Sequence, residues 1–210
     1  MALPFISVVM VEPETPGNIG ATARVMANFG FQELILVNPK CNHLSKESYD
    51  RASHGKYIIE NAKIIYSLNN VFENFDYAIG TTCRVGTDYN ILRSPLTPKQ
   101  LAGKIASISS KANGKKPKIA ILFGRESSGL TNNEIKKCDF IVTIPTPKDY
   151  PSMNISHAAA IMLYEIYFYS SKQPNTPLNY LPAGSTIEHF NPITRAEKKQ
   201  IAKMVDEILN

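Results

Sequence analysis

The sequence predicts an α/β fold built on a mostly parallel sheet. Short runs of apolar, β-branched residues recur along the 210-residue chain, and stretches with helical character separate them. The runs are apolar at nearly every position instead of alternating, as expected for strands that are covered on both faces. Hydrophobic residues make up 43% of the chain and charged residues 20%, a balance typical of a soluble globular protein. We therefore expect a parallel sheet flanked by helices.

Five segments are predicted to be strands because they are short and apolar on both faces. In chain order they are 5–12, 33–39, 76–82, 118–124 and 140–145.

Helices are predicted in the intervening stretches. They are 18–29, about 60–75, 97–111, 131–138 and 154–170. The third begins with Thr97 and Pro98, and Pro is favoured in the first turn of a helix.

The C-terminal part differs in composition from the predicted domain, which spans residues 1–172. Residues 173–193 contain four prolines without helical periodicity, so we predict an extended connector. The sequence T-R-A-E from Thr194 matches a capping box, and apolar residues follow it at helical spacing. Residues 194–210 are predicted to form a short amphipathic helix that packs on its own domain or on a second subunit.

Charge and cysteine content narrow the possible functions. Lys and Arg exceed Asp and Glu by 23 to 18, and this net charge of +5 is weak support for a polyanionic partner. Cys41, Cys83 and Cys138 form no C-x-x-C pair, which predicts a reducing compartment without disulfides or a zinc site. We see no signal peptide and no apolar run near the roughly 18 residues that span a bilayer. A cytoplasmic protein without a membrane partner is expected.

The first motif is N-I-G-A-T-A-R-V-M-A-N-F-G at 18–30, in which Asn18 is predicted to cap a helix. Its apolar residues share one face, so Arg24 lies on the opposite, polar side. Those apolar residues are Ile19, Ala23, Met26 and Phe29. Arg24 is then either a solvated surface residue or a guanidinium that a rigid helix holds for binding an anion such as phosphate.

The second motif is I-L-F-G-R-E-S-S-G-L-T at 121–131, where a predicted strand gives way to a helix. Ligands of α/β proteins bind at this edge of the sheet. Gly124 and Gly129 have the spacing of a phosphate loop, but Leu130 stands where that loop needs Lys. No G-x-G-x-x-G follows any predicted strand. The sequence therefore supports neither an NTPase phosphate loop nor a dinucleotide-binding fold. The alternative is a tight turn in which Arg125 and Glu126 form a surface pair.

The third motif lies at 144–166. A predicted strand ends at Ile144, and a proline-rich loop with Tyr150 and Ser152 leads to Asn154, a suitable cap for the next helix. His157 has no partner at metal-ligand spacing, so no metal site is predicted. The segment is either a proline-rich loop before a well-capped helix or part of a binding site.

Taken together, the three motifs closely resemble those of the SpoU group of the SPOUT RNA methyltransferases, in the same order and over roughly residues 4–170. G-T-T-C-R at 80–84 and the C-terminal extension resemble the TrmJ-type members, which methylate ribose in the tRNA anticodon loop. The resemblance implies a C-terminal deep trefoil knot, S-adenosyl-L-methionine as cofactor, and a homodimer with the active site at the subunit interface. It also implies methyl transfer to an RNA 2′-hydroxyl without a metal, because the sulfonium donor is already activated.

The resemblance also assigns roles to residues. The catalytic residues it implies are Arg24, Glu126, Ser152 and Asn154. The cofactor-binding residues it implies are Thr81, Thr82, Cys83, Leu122, Gly124, Ile144, Pro151, Ser152 and Met153. The substrate-binding residues it implies are Asn18, Arg24, Arg84 and Arg125.

One departure from the TrmJ-type pattern leaves the RNA target open. The residues after Arg84 are V-G-T-D-Y-N, whereas those enzymes tend to be richer in basic residues here. The tRNA anticodon loop is the favoured target and rRNA is the alternative. A homologue that binds RNA without catalysis is the remaining interpretation.

Overall fold

The computed structural model describes residues 5–83, 95–112 and 116–171, together with Gln200 and Met204. Its strands are β1 (Phe5–Val11), β2 (Glu33–Val37), β3 (Lys63–Ile65), β4 (Tyr77–Thr81), β5 (Lys118–Phe123) and β6 (Phe140–Val142). Its helices are α1 (Pro16–Asn28), α2 (Lys46–Ala52), α3 (Lys56–Glu60), α4 (Asn69–Asn74), α5 (Pro98–Lys111), α6 (Asn132–Lys137) and α7 (Ile155–Ser171). A 3₁₀ turn, Ser53–Gly55, joins α2 to α3.

The six strands form one sheet in the order β3-β2-β1-β5-β4-β6, and every neighbouring pair is parallel. β1 is central: Val9 pairs with Ile35 on one side and with Leu122 on the other. Since all six strands point the same way, the loops after β1, β2, β4, β5 and β6 emerge at one edge. The predicted α/β class and parallel sheet are confirmed.

Each face of the sheet carries its own core, which explains why the strands are apolar throughout. Val8 and Met10 belong to the cluster that α1, α5 and α7 cover, whereas Val9 and Val11 belong to the cluster on the opposite face. On the first face, α1 packs against α2 and α7, and α5 packs against α7. Val71 of α4 lies in the second cluster.

The helix predicted at about 60–75 is wrong. The chain there forms the end of α3, the edge strand β3, and α4. The apolar residues between 64 and 72 fall at helical spacing, which favours a helix locally. β3 forms because it pairs with β2, and this pairing cannot be predicted from the local sequence. The predictions also missed α2, since its segment K-E-S-Y-D-R-A contributes only Ser48 and Ala52 to the interior.

The first predicted helix begins earlier than expected. α1 starts at Pro16, so Asn18 lies inside the helix and is not its N-cap. Pro suits the first turn because its missing N–H would have no partner there. The predicted orientation of the helix is confirmed: Ile19, Ala23 and Met26 are buried, and Arg24 is exposed.

The chain divides into two compact units, residues 1–176 and 177–210. The predicted connector at 173–193 lies outside the described residues. Of the predicted C-terminal helix, Gln200 and Met204 are described, and both are helical. The trefoil knot stays a prediction. Among the described residues, no helix combines the length and the apolar character that a bilayer crossing requires.

Candidate active site

A cavity of about 960 Å³ opens at the edge of the sheet where the strands end. The loops that follow β4, β5 and β6 line it, together with the first turns of α7. Pockets of 300–1,000 Å³ are typical of sites for small molecules and cofactors. Its walls mix apolar side chains, such as Leu130, Ile144 and Met153, with polar side chains and backbone groups.

The end of β4 and the two residues that follow it form one wall, and hydrogen bonds fix them to both neighbouring strands. The hydroxyl of Thr81 donates a hydrogen bond to the carbonyl of Leu122 on β5 (2.8 Å). The backbone N–H of Thr82 donates to the carbonyl of Val142 on β6 (3.0 Å). Cys83 follows as an exposed thiol that lines the cavity.

The loop after β5 is a narrow turn that only glycine permits. Arg125 and Gly129 exchange two backbone hydrogen bonds, of 3.2 and 2.8 Å, and Gly129 has φ +73°. A Cβ atom on Gly124 would lie 2.1 Å from the backbone of Gly129 and 2.2 Å from that of Leu130. The backbone folds back on itself so closely that the turn depends on glycine at both ends.

Arg125 joins three segments at this edge of the sheet. Its Nε donates to Glu12 after β1 (2.9 Å), and its two terminal nitrogens donate to the two carboxylate oxygens of Glu134 on α6 (both 3.1 Å). The hydrogen bond from Arg125 lowers the pKa of Glu12. Burial raises the pKa of Glu134, but the bonds from Arg125 and Thr131 outweigh it, so that pKa is also lowered. Both carboxylates are therefore held in their charged form.

Glu126 and Ser127 continue the contact between the loop after β5 and the loop after β1. The carboxylate of Glu126 accepts hydrogen bonds from the backbone N–H groups of Glu14 (2.9 Å) and Thr15 (3.1 Å). The hydroxyl of Ser127 donates to the carboxylate of Glu14 (2.7 Å). Residues 125–127 of the loop after β5 thus hold the chain immediately before α1. This loop of the cavity therefore fixes the position at which α1 begins.

A chain of hydrogen bonds joins the three sequence motifs at the edge of the cavity. The side-chain amide of Asn18 donates to Glu126 (3.1 Å), and its carbonyl accepts from the amide of Asn154 (2.9 Å). The carbonyl of Asn154 accepts from the backbone N–H of Ser156 (2.9 Å), as a helix cap does. The predicted role of Asn154 as a cap is confirmed, and Asn18 connects the other two motifs.

The structure gathers most of the predicted site residues around the cavity. All the predicted cofactor residues except Leu122 line it, and so do Asn18, Arg125, Glu126 and Asn154. Leu122 is fully buried in the core behind the cavity, where its carbonyl holds Thr81. Arg84 lies outside the described residues.

Arg24 does not line the cavity of its own chain. It follows Asn18 by six residues on α1, which is roughly 9 Å along the helix. Its side chain is exposed on the outer side of α1. Arg24 therefore lies apart from the residues that form the cavity wall.

Glu12 and Glu134 are the main residues that sequence reasoning missed. Each has a local signal: Glu12 is the first charged residue after β1, and Glu134 completes a capping box with Thr131. Their shared partner, Arg125, was not predictable from either signal. Among the described residues, no group of three or more His, Cys, Asp and Glu is arranged to hold a metal ion.

The model of the SpoU rRNA Methylase family matches residues 6–164, which is most of the chain and all three motifs. The chain belongs to this family. The resemblance that the motifs suggested is thereby confirmed.

Two relatives of this SpoU chain and one more distant fold neighbour illustrate its place in the family. The tRNA (cytidine-2′-O-)-methyltransferase TrmJ of Methanocaldococcus jannaschii is 46% identical over 78% of this chain and 67% of its own length. A probable methylase family protein of Haemophilus influenzae has a solved structure with a TM-score of 0.71 and 31% identity, covering 96% of this chain and 76% of that one. The SpoU methyltransferase AviRb of Streptomyces viridochromogenes, solved in complex with AdoMet, shares the fold with a TM-score of 0.61 and 21% identity, covering 82% and 60%.

The similarity to the longer SpoU relatives is partial. For four curated relatives, the region that matches this chain spans 60–67% of the relative's own length.

Proposed function

We propose that this chain is an S-adenosyl-L-methionine-dependent RNA methyltransferase that methylates a ribose 2′-hydroxyl. The observation that carries the proposal is the hydrogen-bond chain Glu126–Asn18–Asn154, which unites the three motifs of a methylase family at one cavity. A surface turn and an unrelated helix cap would have no reason to meet in this way.

The residues around the cavity fit S-adenosyl-L-methionine. The volume is sufficient, Ile144 and Met153 offer apolar walls, and Gly124 lines the cavity within the tight turn after β5. The residues that would hold the cofactor are Thr81, Thr82, Cys83, Gly124, Ile144, Pro151, Ser152 and Met153. When bound, the cofactor supplies a methyl group that is already activated on a sulfonium.

The remaining chemistry falls to this chain's own residues. Arg24 is a poor base because a guanidinium offers N–H donors and no acceptor. We assign it instead to a phosphate of the RNA and to the negative charge that develops on the 2′-oxygen. The hydroxyl proton leaves through that phosphate, Ser152 or water. Glu126 and Asn154 hold α1 and the cavity loops in their relative positions.

We propose tRNA as the substrate, with the anticodon loop as the favoured region, because TrmJ relatives are named for 2′-O-methylation of tRNA. The family name keeps rRNA as the alternative substrate. The proposed assembly is a homodimer in the cytoplasm. A purely RNA-binding role is less favoured because Arg24, Ser152 and Asn154 are all present.

Transfer of radiolabelled methyl groups tests this function. Purified protein and labelled S-adenosyl-L-methionine are incubated with unmodified tRNA, with rRNA, and with a tRNA whose anticodon-loop riboses are replaced by deoxyribose. We expect label in the first tRNA and none in the deoxy-substituted one, since only RNA carries the 2′-hydroxyl. Equal labelling of the two tRNAs would exclude an anticodon-loop ribose as the acceptor.

Arg24→Ala is expected to lower kcat by about 10²–10³-fold, the scale seen when a group that stabilises developing charge is removed. Cofactor affinity, measured by calorimetry, is expected to stay unchanged because Arg24 lies outside the cavity. The kcat of Arg24→Lys should lie between those of the wild-type protein and Arg24→Ala, since Lys keeps the charge but loses the paired donors. The exposed residue Lys111 supplies the control, Lys111→Ala. Loss of cofactor affinity in Arg24→Ala would overturn the proposed role.

A further inference from the structure

Arg24 is not an isolated cation on the surface of this chain. Gly20 lies one turn before it on α1, and a Cβ atom there would be 3.0 Å from the Cβ of Arg51 on α2. The carbonyl of Ser48 approaches the same position to 2.1 Å, so α2 lies directly on this part of α1. The side chain of Arg51 therefore starts about one helical turn from Arg24.

Lys56 approaches Arg24 from the following segment. The preceding residue, Gly55, packs so closely that a Cβ atom there would lie 2.8 Å from the carbonyl of Ala23 and 3.1 Å from the Cα of Arg24. Lys56 is the first residue of α3. Arg51 and Lys56 thus flank Arg24, and these three residues form what we call the α1 basic cluster.

The α1 basic cluster is open to solvent, and its members are not engaged in ion pairs with the described residues. All three side chains are exposed, and within residues 5–83, 95–112 and 116–171 none of them forms an ion pair. The carboxylate of Glu47, on the same helix as Arg51, lies against Gly17 at the first turn of α1. Arg125, in contrast, is fully engaged by Glu12 and Glu134.

An aromatic side chain completes this surface. Tyr57 follows Lys56 directly and is 43% exposed. Guanidinium and ammonium groups bind phosphates, and an exposed aromatic ring stacks on an unpaired base. The combination fits single-stranded RNA better than an acidic protein, which would gain little from the ring.

We propose that Arg51 and Lys56 bind the phosphates next to the nucleotide that Arg24 serves, with Tyr57 stacking on a neighbouring base. This inference rests on the proposed function, since it places the RNA strand along α1. It identifies residues 51–57 as a part of the RNA-binding surface that the three motifs do not include. The ligand it predicts is a single-stranded stretch, such as a loop, and not a duplex.

Binding to an unmodified tRNA transcript over a range of salt concentrations tests the proposal. For Arg51→Ala combined with Lys56→Ala, we expect the slope of log K against log salt to fall by about 1.4, because each phosphate of a single strand that is no longer bound lowers it by about 0.7. Arg51→Glu combined with Lys56→Glu should weaken binding further. Tyr57→Ala should weaken binding without changing the slope. Cofactor affinity should stay unchanged in all of them.

The matched control is Lys111→Ala combined with Lys116→Ala. Both residues are exposed and precede the amino end of β5, at the opposite edge of the sheet, and the pair removes the same charge. Equal salt slopes for the two double variants would overturn the inference. Failure of the wild-type protein to transfer methyl groups would instead overturn the proposed function, because the binding comparison does not require catalysis.

Discussion

Gly124 shows how a missing side chain shapes the cavity. The turn after β5 brings the backbone of Gly129 and Leu130 within about 2 Å of where a Cβ atom would stand. The two backbone segments share a space that only a hydrogen atom can occupy. Gly124 therefore determines the shape of this cavity wall, against which we propose that the cofactor binds.

Gly124→Ala is expected to destabilise the protein by about 1–3 kcal/mol through overpacking, and to weaken cofactor binding by at least about tenfold because the loop must move. Chemical denaturation and calorimetry measure the two effects. The control is Gly103→Ala. Gly103 lies in the middle of α5, and a Cβ atom there would be 3.7 Å from the ring of Tyr169, an ordinary contact distance. That change should stabilise the protein by about 0.5–1 kcal/mol. If Gly124→Ala bound the cofactor with wild-type affinity, the loop would have room for a Cβ atom and this prediction would be wrong.

At the residue scale, the sequence identified which side chains matter better than it identified their partners. Asn18 and Asn154 were both predicted to be helix caps, because Asn is common there, but only Asn154 acts as one. Asn18 bonds across 108 positions to Glu126 and across 136 to Asn154. No local rule predicts such contacts, since they depend on which strands become neighbours in the sheet.

At the scale of elements, the Arg125 bridge connects β1, β5 and α6 through charged hydrogen bonds. Lowered pKa values at Glu12 and Glu134 mean that folding favours their charged forms. The stability they contribute is complete above the ordinary pKa of 4.5 and is lost as the pH falls through the lower, folded-state values.

Glu134→Gln should therefore reduce the free energy of unfolding at pH 7 by about 1.5–3 kcal/mol, the range for hydrogen bonds to charged groups. Its difference from the wild-type protein should shrink as the pH is lowered below 4.5, because the carboxylate of the unfolded wild-type chain is protonated there and that of the folded protein only at a lower pH. Urea unfolding at several pH values measures this. Glu73→Gln, at an exposed position, should change stability by less than about 0.5 kcal/mol at every pH. A constant difference for Glu134→Gln would contradict the argument.

The elements themselves were largely predictable from the sequence, and the missed strand has a physical explanation. Strands buried on both faces are apolar throughout, so β1, β2, β4 and β5 were identified, and β6, at one edge of the sheet, was identified from the apolar run F-I-V-T-I-P. β3 lies at the edge of the sheet and is only three residues long, with Ile64 39% exposed. An edge strand of this kind leaves little hydrophobic signal.

At the scale of the whole molecule, the position of Arg24 favours a site completed by two chains. The cavity and Arg24 lie on different parts of one chain, so we propose a symmetric dimer in which each Arg24 meets the partner's cavity. On α7, Tyr164 is exposed, stacks on Phe168 and makes an edge contact with Phe29 at the end of α1, so we propose this side of α7 as part of the interface.

Subunit mixing tests this arrangement. Arg24→Ala lacks the arginine, and Ser152→Arg should fill the cavity with a bulky side chain at an exposed position. Each variant alone should be inactive. After equal amounts are unfolded and refolded together, we expect about a quarter of wild-type activity, since half of the dimers carry one intact site of two. No recovery, with mixed dimers verified by differential tags, would show that Arg24 acts within its own chain.

The contacts that hold residues 12–15 also determine when this protein can finish folding. Their partners at 125–127 follow 111–113 positions later, and β1 has one edge open until β5 arrives. At about 5–20 residues per second, the ribosome needs roughly 5–20 s to supply them. Throughout that interval the nascent chain carries an apolar strand with an unpaired edge, the kind of surface to which chaperones bind.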